Sequence, residues 1–413
     1  MKKMILIIII CILSLLSGCY DKKELEEKAY VVAIGIDKAK KKNQYFITFQ
    51  IANPEVGSSV AGGDVQEEPQ ENVTLLANDF LTARNTANSF ITREISVDHT
   101  RALIISEEMA RSEDFIRVMQ EIVRSSELRR GIALVVTKER ASEFIENNKP
   151  TLETRPHKYY QFMLNRARET GIIPEGDVHR FFQITEGDAG VFLASYATTE
   201  TVGSSHASED EYEAGEIPQV GGNKTQFMGS AVFKEGKMID ILNGQETRIA
   251  LILDPSTHLK DVLATYEDPL AEGFKIAARF IKKEKNDVDI QYHKEKPTVL
   301  KVTVPFEIEV LSVPSLIDYS NDRDKREKLR KKVEETLNEK ANELVKKAQE
   351  NYGTDPFYWS LYIRRFFPTI KDYEEGDWNH KIFPNAQIEV RYELKEITFG
   401  KLSKNSNLGE VRD

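Results

Sequence analysis

Residues 298–310 read TVLKVTVPFEIEV, and this stretch decides the fold of the C-terminal part of the chain. Apolar side chains occupy every second position from Leu300 to Val310, and mainly charged or hydroxyl side chains fill the positions between them. Because side chains alternate across a strand, the pattern predicts a long strand with one buried face. Pro305 falls on the polar side, which predicts an edge strand or a β-bulge at that position.

Two further C-terminal segments complete this predicted unit. Residues 386–395 repeat the alternation, with Ile388, Val390, Tyr392 and Leu394 inward, so the two strands predict an antiparallel sheet with one covered face. The predicted cover is a helix at about residues 322–351 that ends at Gly353. Its apolar stripe consists of Leu329, Val333, Leu337, Ala341, Leu344, Val345 and Ala348. A heptad coiled coil is the alternative interpretation of this helix.

The rest of the chain mixes strands and helices. Strands are predicted at residues 30–36, 45–52, 102–105, 132–136, 227–233, 238–242, 249–253, 275–281 and 287–292. The first two form an antiparallel hairpin. Helices are predicted at residues 75–91, after a Ser112 cap, at 155–170 and from Pro356 through Phe367, and a mobile loop at 54–72.

We therefore predict an α+β (mixed α/β), multi-domain fold. It has an N-terminal mixed sheet with helices and a C-terminal antiparallel sheet covered by a long helix. Residues 199–224 combine glycines and acidic residues with few apolar ones, which favours an exposed linker. The predicted divisions are a signal peptide at 1–18, an N-terminal domain at 19–200, a flexible acidic linker at 201–224, a middle domain at 225–292, a C-terminal domain at 293–400 and a disordered tail at 401–413.

The N-terminus has the features of a bacterial lipoprotein signal. Lys2 and Lys3 precede an apolar run at residues 4–16, which is shorter than the ~20 residues of a membrane-spanning helix. Leu16-Ser17-Gly18-Cys19 then follows the lipobox order of an apolar residue, two small residues and cysteine. We predict cleavage between Gly18 and Cys19 and lipid attachment at Cys19. An ordinary signal peptide and an uncleaved anchor are the alternatives.

Composition excludes several classes of function. The formal net charge is −10 in a chain of 413 residues, and removal of Lys2 and Lys3 takes it to −12. A negative body argues against nucleic-acid binding and against adhesion to anionic lipid by charge alone. Of the two cysteines, Cys11 lies in the predicted leader and Cys19 carries the predicted lipid. The mature body therefore offers no disulfide and no thiolate nucleophile.

Catalytic and ligand-binding motifs are weak in this sequence. Residues 222–225, GNKT, lack the strand that would feed a phosphate-binding loop, and no two of the seven histidines are three to five residues apart. His206 lies in the predicted linker, where a hydrolytic triad would lack preorganisation. His99 fits a turn or capping role better than that of a catalytic base, whereas a pair of carboxylates as in glycosidases stays open. We expect no enzyme, no catalytic residue, no metal and no cofactor.

Several segments together resemble a known family. They are residues 18–25 followed by 29–37, Asp98-His99-Thr100 with Ala110-Arg111, residues 228–233 with Glu246-Thr247-Arg248, and Asp355 with Trp378 and Phe383-Pro384. In this order, with the lipobox, they resemble the C-subunit lipoproteins of bacterial spore germinant receptors, the Ger(x)C family. Tyr20 stands where the family usually has tryptophan.

The resemblance implies a role in spore germination. It implies an α/β body anchored by lipid to the outer face of the cell membrane, which is the inner membrane of the spore. There it would assemble with the integral-membrane A and B subunits of a nutrient germinant receptor, without enzymatic activity. From their closeness to Cys19 we expect partner contacts at Tyr20, Asp21, Glu24, Leu25 and Gly35. The alternative is an extracytoplasmic lipoprotein that captures the small-molecule germinant itself.

Overall fold

A computed structural model describes residues 27–53, 70–187, 190–204, 208–257, 259 and 261–400. The predicted signal peptide, Cys19 with the segment after it, most of the predicted 54–72 loop and the 401–413 tail lie outside these residues. Among the residues that are described, no helix is both long and apolar enough to cross a bilayer.

The described strands form two sheets. They are β1 (Lys28–Lys38), β2 (Tyr45–Ala52), β3 (Gln70–Ala77), β4 (Glu94–Ser96), β5 (Ala102–Ser106), β6 (Ala133–Thr137), β7 (Val191–Thr198), β8 (Gln226–Lys234), β9 (Lys237–Leu242), β10 (Asp261–Glu267), β11 (Lys275–Ile281), β12 (Asp287–Gln291), β13 (Val299–Ser312) and β14 (Gln387–Thr398). The first sheet has the order β3-β2-β1-β5-β6-β7-β8-β9, with β4 also paired to β1. The second has the order β10-β11-β13-β12, with β14 on the other side of β13.

The helices lie between these strands. They are α1 (Phe80–Ala87), α2 (Glu107–Ala110), α3 (Phe115–Val123), α4 (Ala141–Asn147), α5 (Pro156–Glu169), α6 (Val178–Thr185), α7 (Gly244–Leu253), α8 (Arg323–Lys347), α9 (Ser360–Ile363) and α10 (Ile370–Gly376). The predicted fold class, a mixed N-terminal sheet with helices and a C-terminal sheet covered by a long helix, is confirmed.

The first sheet is buried on both faces. β1 and β2 form the predicted antiparallel hairpin, whereas β5, β6 and β7 run parallel to one another and to β1. Successive residues of β5 enter opposite cores: Leu103 packs in the core with α1, α3 and α6, and Ile104 in the core with α4 and α5. Burial on both faces explains the short, continuously apolar strands in this part of the sequence.

The second sheet is built around β13. β10, β11 and β12 pair antiparallel as predicted. The prediction fails for β14, which runs parallel to β13. The prediction of an edge strand at Pro305 is wrong, because β13 is central. Pro305 lies where β12 has ended at Thr303 and β11 pairs only from Glu307, and beside the register shift with β14 at Phe306/Glu307. The alternative prediction, a bulge, fits this position since no antiparallel partner needs the missing N–H there.

Helix α8 covers the sheet as predicted and also closes its edge. Asp322 caps its N-terminus, and the chain continues from it through a π turn, Ala348–Tyr352, to Gly353 in the left-handed region at φ 60°. Side chains four residues apart on α8 accept the backbone N–H groups of β14: Glu334 from Leu394 at 2.8 Å, Asn338 from Tyr392 at 2.6 Å and Asn342 from Val390 at 3.0 Å. The helix therefore pairs with this strand edge and leaves it closed to other strands.

Two predicted elements and one predicted helix cap are wrong, although the helix predicted after Ser112 is present as α3. Residues 75–91 are not one helix, because β3 extends to Ala77 and α1 starts only after the Asp79 cap, whose carboxylate accepts from Thr82 N at 2.8 Å. Residues 249–253 are helical, since Asn243 and Glu246 form a capping box for α7. Ser112 caps no helix; its hydroxyl donates to the Met109 carbonyl at 2.8 Å.

Two segments differ from their predicted form, and four strands were missed. Where described, residues 199–224 connect β7 and β8, which pair with each other, and only part of the segment is exposed: Asp210 and Ala214 are buried, whereas residues 200–203 and 218–222 are exposed. The aromatic helix predicted through Phe367 is regular only in α9. Strands β3, β4, β7 and β10 were not predicted. The division into the predicted domains stays a prediction, and β8 and β9 of the predicted middle domain belong to the first sheet.

Candidate functional site at the junction of the two sheets

The predicted contact residues are mostly outside the described part of the chain. These are Tyr20, Asp21, Glu24 and Leu25, and the predicted cleavage and lipid-attachment residues, Gly18 and Cys19, also lie outside it. Gly35 is described, and it lies in the middle of β1 between Thr48 of β2 and Ile104 of β5. A Cβ atom there would approach Ile145 Cδ1 of α4 to 2.9 Å. Gly35 is therefore buried against a helix and cannot present a surface to a partner, which corrects its place in the predicted contact set.

The end of β1 shows why the 29–37 segment is distinctive. Asp37 is 1% exposed, and its carboxylate accepts from the backbone N–H groups of Ala141 at 2.6 Å and Ser142 at 3.0 Å. These are the first residues of α4, where unpaired N–H groups and the helix dipole favour a negative charge. The Arg140 guanidinium lies 3.9 Å away. Asp37 thus joins the strand to the helix that covers Gly35.

The Asp98-His99-Thr100 segment forms a turn. His99 Nδ1 lies 2.9 Å from Asp98 Oδ1, and its ring meets the Tyr30 ring edge-on at 4.9 Å between centroids. Burial raises the pKa of Asp98, but hydrogen bonds from Ser96 and His99 outweigh it and leave the pKa below its usual value. The Thr100 hydroxyl donates to the Val97 carbonyl at 2.8 Å. This arrangement fits the predicted turn role of His99.

Three of the residues that carry the resemblance, Asp355, Trp378 and Phe383, meet around the buried carboxylate of Asp355. Asp355 is 2% exposed and accepts three N–H donors: Phe357 N at 2.8 Å, Ser360 N at 3.0 Å and Trp378 Nε1 at 2.9 Å. Burial raises the pKa of Asp355 to about 6, although the three donors act against this rise. Phe383 packs on Trp378 with 5.8 Å between ring centroids. The structure thus brings together residues that the sequence places 28 positions apart.

This carboxylate lies where the two sheets join. Gly190, just before β7 of the first sheet, packs so closely on this loop that a Cβ atom would collide with Thr354 Oγ1 and lie 2.9 Å from Asp355 N. Arg180 of α6 donates to Asp254 at 2.6 Å, and its guanidinium lies 5.7 Å from the Tyr358 ring centroid. One loop of the second sheet is therefore held by residues of the first.

The C-terminus of α7 collects donors from the second sheet. Lys282 Nζ donates to the Ile252 carbonyl at 2.8 Å, and Trp359 Nε1 to the Leu253 carbonyl at 3.3 Å. Burial lowers the pKa of Lys282 to about 8, while the charge of Asp254 opposes the change. Cations and N–H donors suit a helix C-terminus, whose carbonyls lack partners within the helix.

A second set of ion pairs joins α7 and α8 to the first sheet. Arg248 pairs with Asp210 at 2.8 Å and donates to the Thr170 carbonyl at 3.0 Å. Lys347 of α8 lies 3.0 Å from Glu246 and 3.3 Å from Asp240 of β9. Glu246 and Arg248, part of the segment that carries the resemblance, therefore act at the junction. Sequence reasoning missed Asp210, which lies in the predicted linker, and no local pattern marks it as buried.

The arrangement can fix the two sheets in one relative orientation. Its charged groups have partners inside the protein, and buried pairs of this kind are costly to break on one side only. Among the residues that the structure describes, no group of three or more histidine, cysteine, aspartate or glutamate side chains is placed to hold a metal ion. The chemistry of the junction is thus that of a rigid structural connection.

Comparisons with known proteins agree across both halves of the chain. Residues 21–199 match the family described as "Spore germination protein N-terminal domain", and residues 228–400 match "Spore germination B3/ GerAC like, C-terminal". Spore germination protein B3 of Bacillus subtilis (strain 168) is 24% identical over 400 residues, which cover 94% of this chain and 96% of that protein. Spore germination protein KC of the same strain is 30% identical over 146 residues, 35% of this chain and 36% of that protein.

A solved structure has the same fold. The crystal structure of the GerBC protein superposes with a TM-score of 0.52 at 16% sequence identity, covering 91% of this chain and all of that one. Both family matches, a relative aligned over nearly its whole length and a common fold thus agree with the order of motifs along the sequence. The chain belongs to the Ger(x)C family of spore germination proteins.

Proposed function

We propose that this chain is the membrane-anchored lipoprotein C subunit of a nutrient germinant receptor that spore germination requires. Acylated Cys19 holds it at the outer face of the cell membrane, the inner membrane of the spore. It acts by protein–protein contact with the integral-membrane A and B subunits, and it is not an enzyme. The observation that carries this proposal is family membership over both halves, with the first match starting two residues after Cys19.

The length of the tether supports contact close to the membrane. Nine residue steps separate Cys19 from Lys28, the first residue of β1. A fully extended chain of that length spans at most about 30 Å. An anchored body would therefore stay within reach of membrane partners at a high effective concentration, so that modest interfaces suffice.

The charge around the start of the first sheet supports an orientation in which the beginning of β1 faces the membrane. Arg101 precedes β5, and Arg129 and Arg130 precede β6. Because β5 and β6 run parallel to β1, all three arginines lie toward the end of the strands at which β1 begins. Their side chains are exposed, and within the described residues none of the three forms an ion pair. Each basic residue near an anionic membrane contributes about 1 kcal/mol of attraction.

The anchor is tested by replacing Cys19 with alanine in the full chain in spores. We expect the variant protein to leave the membrane fraction and germination with nutrients to be lost. Cys11→Ala is the matched control, because this cysteine lies in the predicted leader and its loss should change neither property. Unchanged germination and membrane retention in Cys19→Ala would refute the anchor, as would mass spectrometry that finds an intact leader or an unmodified Cys19.

The orientation is tested separately with Arg129→Glu and Arg130→Glu combined. We expect the anchored variant to remain in the membrane fraction while nutrient germination slows. The matched control is Lys346→Glu with Lys371→Glu, which reverses two exposed lysines of the second sheet's helices. Equal germination rates in both double variants would show that the arginine end does not face the membrane.

A further inference from the structure

A polar cleft lies at the side of the first sheet, between strands β2 and β3 and helices α4 and α5. Its volume is about 820 Å³, within the range of small-molecule sites. Gln50 of β2 and Asn72 of β3 lie on its strand side, and Tyr160 of α5 on its helix side. The cleft is separate from the junction of the two sheets and contains none of its residues.

Among the described residues, three polar atoms in the wall of this cleft have no partner at hydrogen-bond distance. They are Gln50 Oε1, Asn72 Oδ1 and the Tyr160 hydroxyl. Gln50 and Tyr160 are each 1% exposed, so bulk water does not compensate them. Buried polar groups in native proteins are nearly always paired, and an unpaired set around one cleft therefore suggests a missing binding partner.

The orientation of the two amides defines what that partner must supply. Asn72 Nδ2 donates to Glu146 Oε2 at 3.0 Å, and since a carboxylate only accepts, the Asn72 oxygen is the free end. Gln50 Nε2 donates to Gln70 Oε1 at 2.7 Å, which leaves its oxygen free as well. Gln50 and Asn72 are direct partners in the β2–β3 ladder, so their side chains emerge side by side on one face.

The remaining groups favour a positively charged partner. Two carboxylates, Glu71 and Glu146, line the cleft against one ammonium group, Lys149. Burial raises the pKa of the Tyr160 phenol, while the neighbouring Asn148 and Gln50 side chains oppose this rise, so its hydroxyl stays protonated and can donate. The wall thus offers two free amide oxygens, a surplus negative charge and one hydroxyl.

We propose that this cleft binds a small polar molecule that carries a primary ammonium group. The ammonium donates to the Gln50 and Asn72 oxygens, which turn toward the cleft on binding, and the Tyr160 hydroxyl pairs with a second polar atom of the ligand. The inference does not rest on the anchor, because the body can bind such a ligand whether or not Cys19 is acylated. It would give the subunit a direct part in ligand recognition.

Saturation-transfer NMR on the full-length protein in detergent tests this site. Ethanolamine is the probe, with glycerol as an uncharged hydroxyl compound and acetate as an anion of similar size. We expect a saturable signal from ethanolamine and much weaker signals from the other two. Glycerol or acetate binding as well as ethanolamine would overturn the ammonium class, and no saturable binding by any probe would mean that ordered water fills the cleft.

Substitutions locate the binding. Tyr160→Phe removes one hydroxyl that has no partner at hydrogen-bond distance among the described residues. We expect ethanolamine affinity to fall about three- to tenfold, the loss of one hydrogen bond, at an unchanged melting temperature. Gln50→Met should weaken binding at least as much. Gln44→Met is the matched control, since Gln44 precedes the same strand and bonds Asn78 outside the cleft. Unchanged affinity in folded Tyr160→Phe and Gln50→Met proteins would overturn the site.

Discussion

The two tryptophans of the chain allow one hydrogen bond to a buried charge to be measured. Trp378 and Trp359 are 2% and 0% exposed, so replacement by phenylalanine removes the same atoms from equally buried sites. Trp378 Nε1 donates to the Asp355 carboxylate at 2.9 Å, whereas Trp359 Nε1 donates to the neutral Leu253 carbonyl at 3.3 Å. The loss of packing is therefore matched, and the acceptor differs.

The expected difference follows from the acceptors. A hydrogen bond to a charged group contributes about 1.5–3 kcal/mol, and one between neutral groups about 0.5–1.5 kcal/mol. At pH 7.5 we expect Trp378→Phe to lower the free energy of unfolding by about 1–2 kcal/mol more than Trp359→Phe. Urea unfolding followed by circular dichroism measures both values, and the retained tryptophan reports fluorescence in each variant.

The pH dependence provides the decisive control. The Trp378 donor stabilises the charged form of Asp355, whose pKa in the folded protein is about 6. At pH 5 this carboxyl is mostly protonated when folded, so the bond becomes one between neutral groups and the two losses should agree within about 0.5 kcal/mol. Equal losses at pH 7.5, or a difference that does not change between the two pH values, would refute the assignment of charge to this site.

Three further outcomes test the packing, the ion pairs and the linkage to pH. Gly35→Ala should lower the free energy of unfolding, measured by urea titration, by about 1–3 kcal/mol through overpacking. Gly131→Ala is its control, because the added Cβ meets open space and should change the free energy of unfolding by less than about 0.5 kcal/mol. Arg248→Met should lower the free energy of unfolding by about 3–5 kcal/mol, because it leaves the buried Asp210 carboxylate without its cation. Arg166→Met breaks only an exposed pair and should cost below about 0.5 kcal/mol, and similar losses in the two variants would contradict the role of Arg248 at the junction. The pKa of Asp355 in the folded protein lies above its unfolded value of 3.8, so the contribution of Asp355 to stability should fall as pH rises from about 4 to about 6. Urea midpoints that rise over this pH range, relative to those of Asp355→Asn, would contradict the direction of this pKa shift.

Local patterns predicted the elements whose signals are local. The alternation at residues 298–310 and the apolar stripe on α8 each indicate which face of the strand or helix is buried. The structure confirms the buried face of β13 and that of α8. The short run at 249–253 fits a strand or a buried helix equally well, and its helical form depends on the Asn243 and Glu246 cap that lies outside the run. The position of β13 at the centre of its sheet depends on which strands arrive from elsewhere, and a single strand does not encode that.

Side chains that act across the fold could not be assigned from the sequence. Glu334, Asn338 and Asn342 are spaced like any polar helix surface, yet they accept the N–H groups along β14. Asp355 and Trp378 were known only as part of a resemblance, because 22 intervening residues give no sign that the two side chains meet. Their roles require the coordinates of a distant partner, and sequence spacing does not provide these.

The net charge of the chain is a sum over its whole surface and conceals local groups of one sign. A formal net charge of −10 led us to expect no electrostatic attraction to anionic lipid. Charges interact over about 8–10 Å at physiological ionic strength, so a membrane surface would sense the nearest groups rather than the sum. Arg101, Arg129 and Arg130 are exposed toward the end of the first sheet at which β1 begins and the proposed Cys19 tether would enter, and Glu94, the ladder partner of Lys28, lies at the same end. A negative body can therefore be attracted at one end and repelled elsewhere, and this combination would orient it on a short tether.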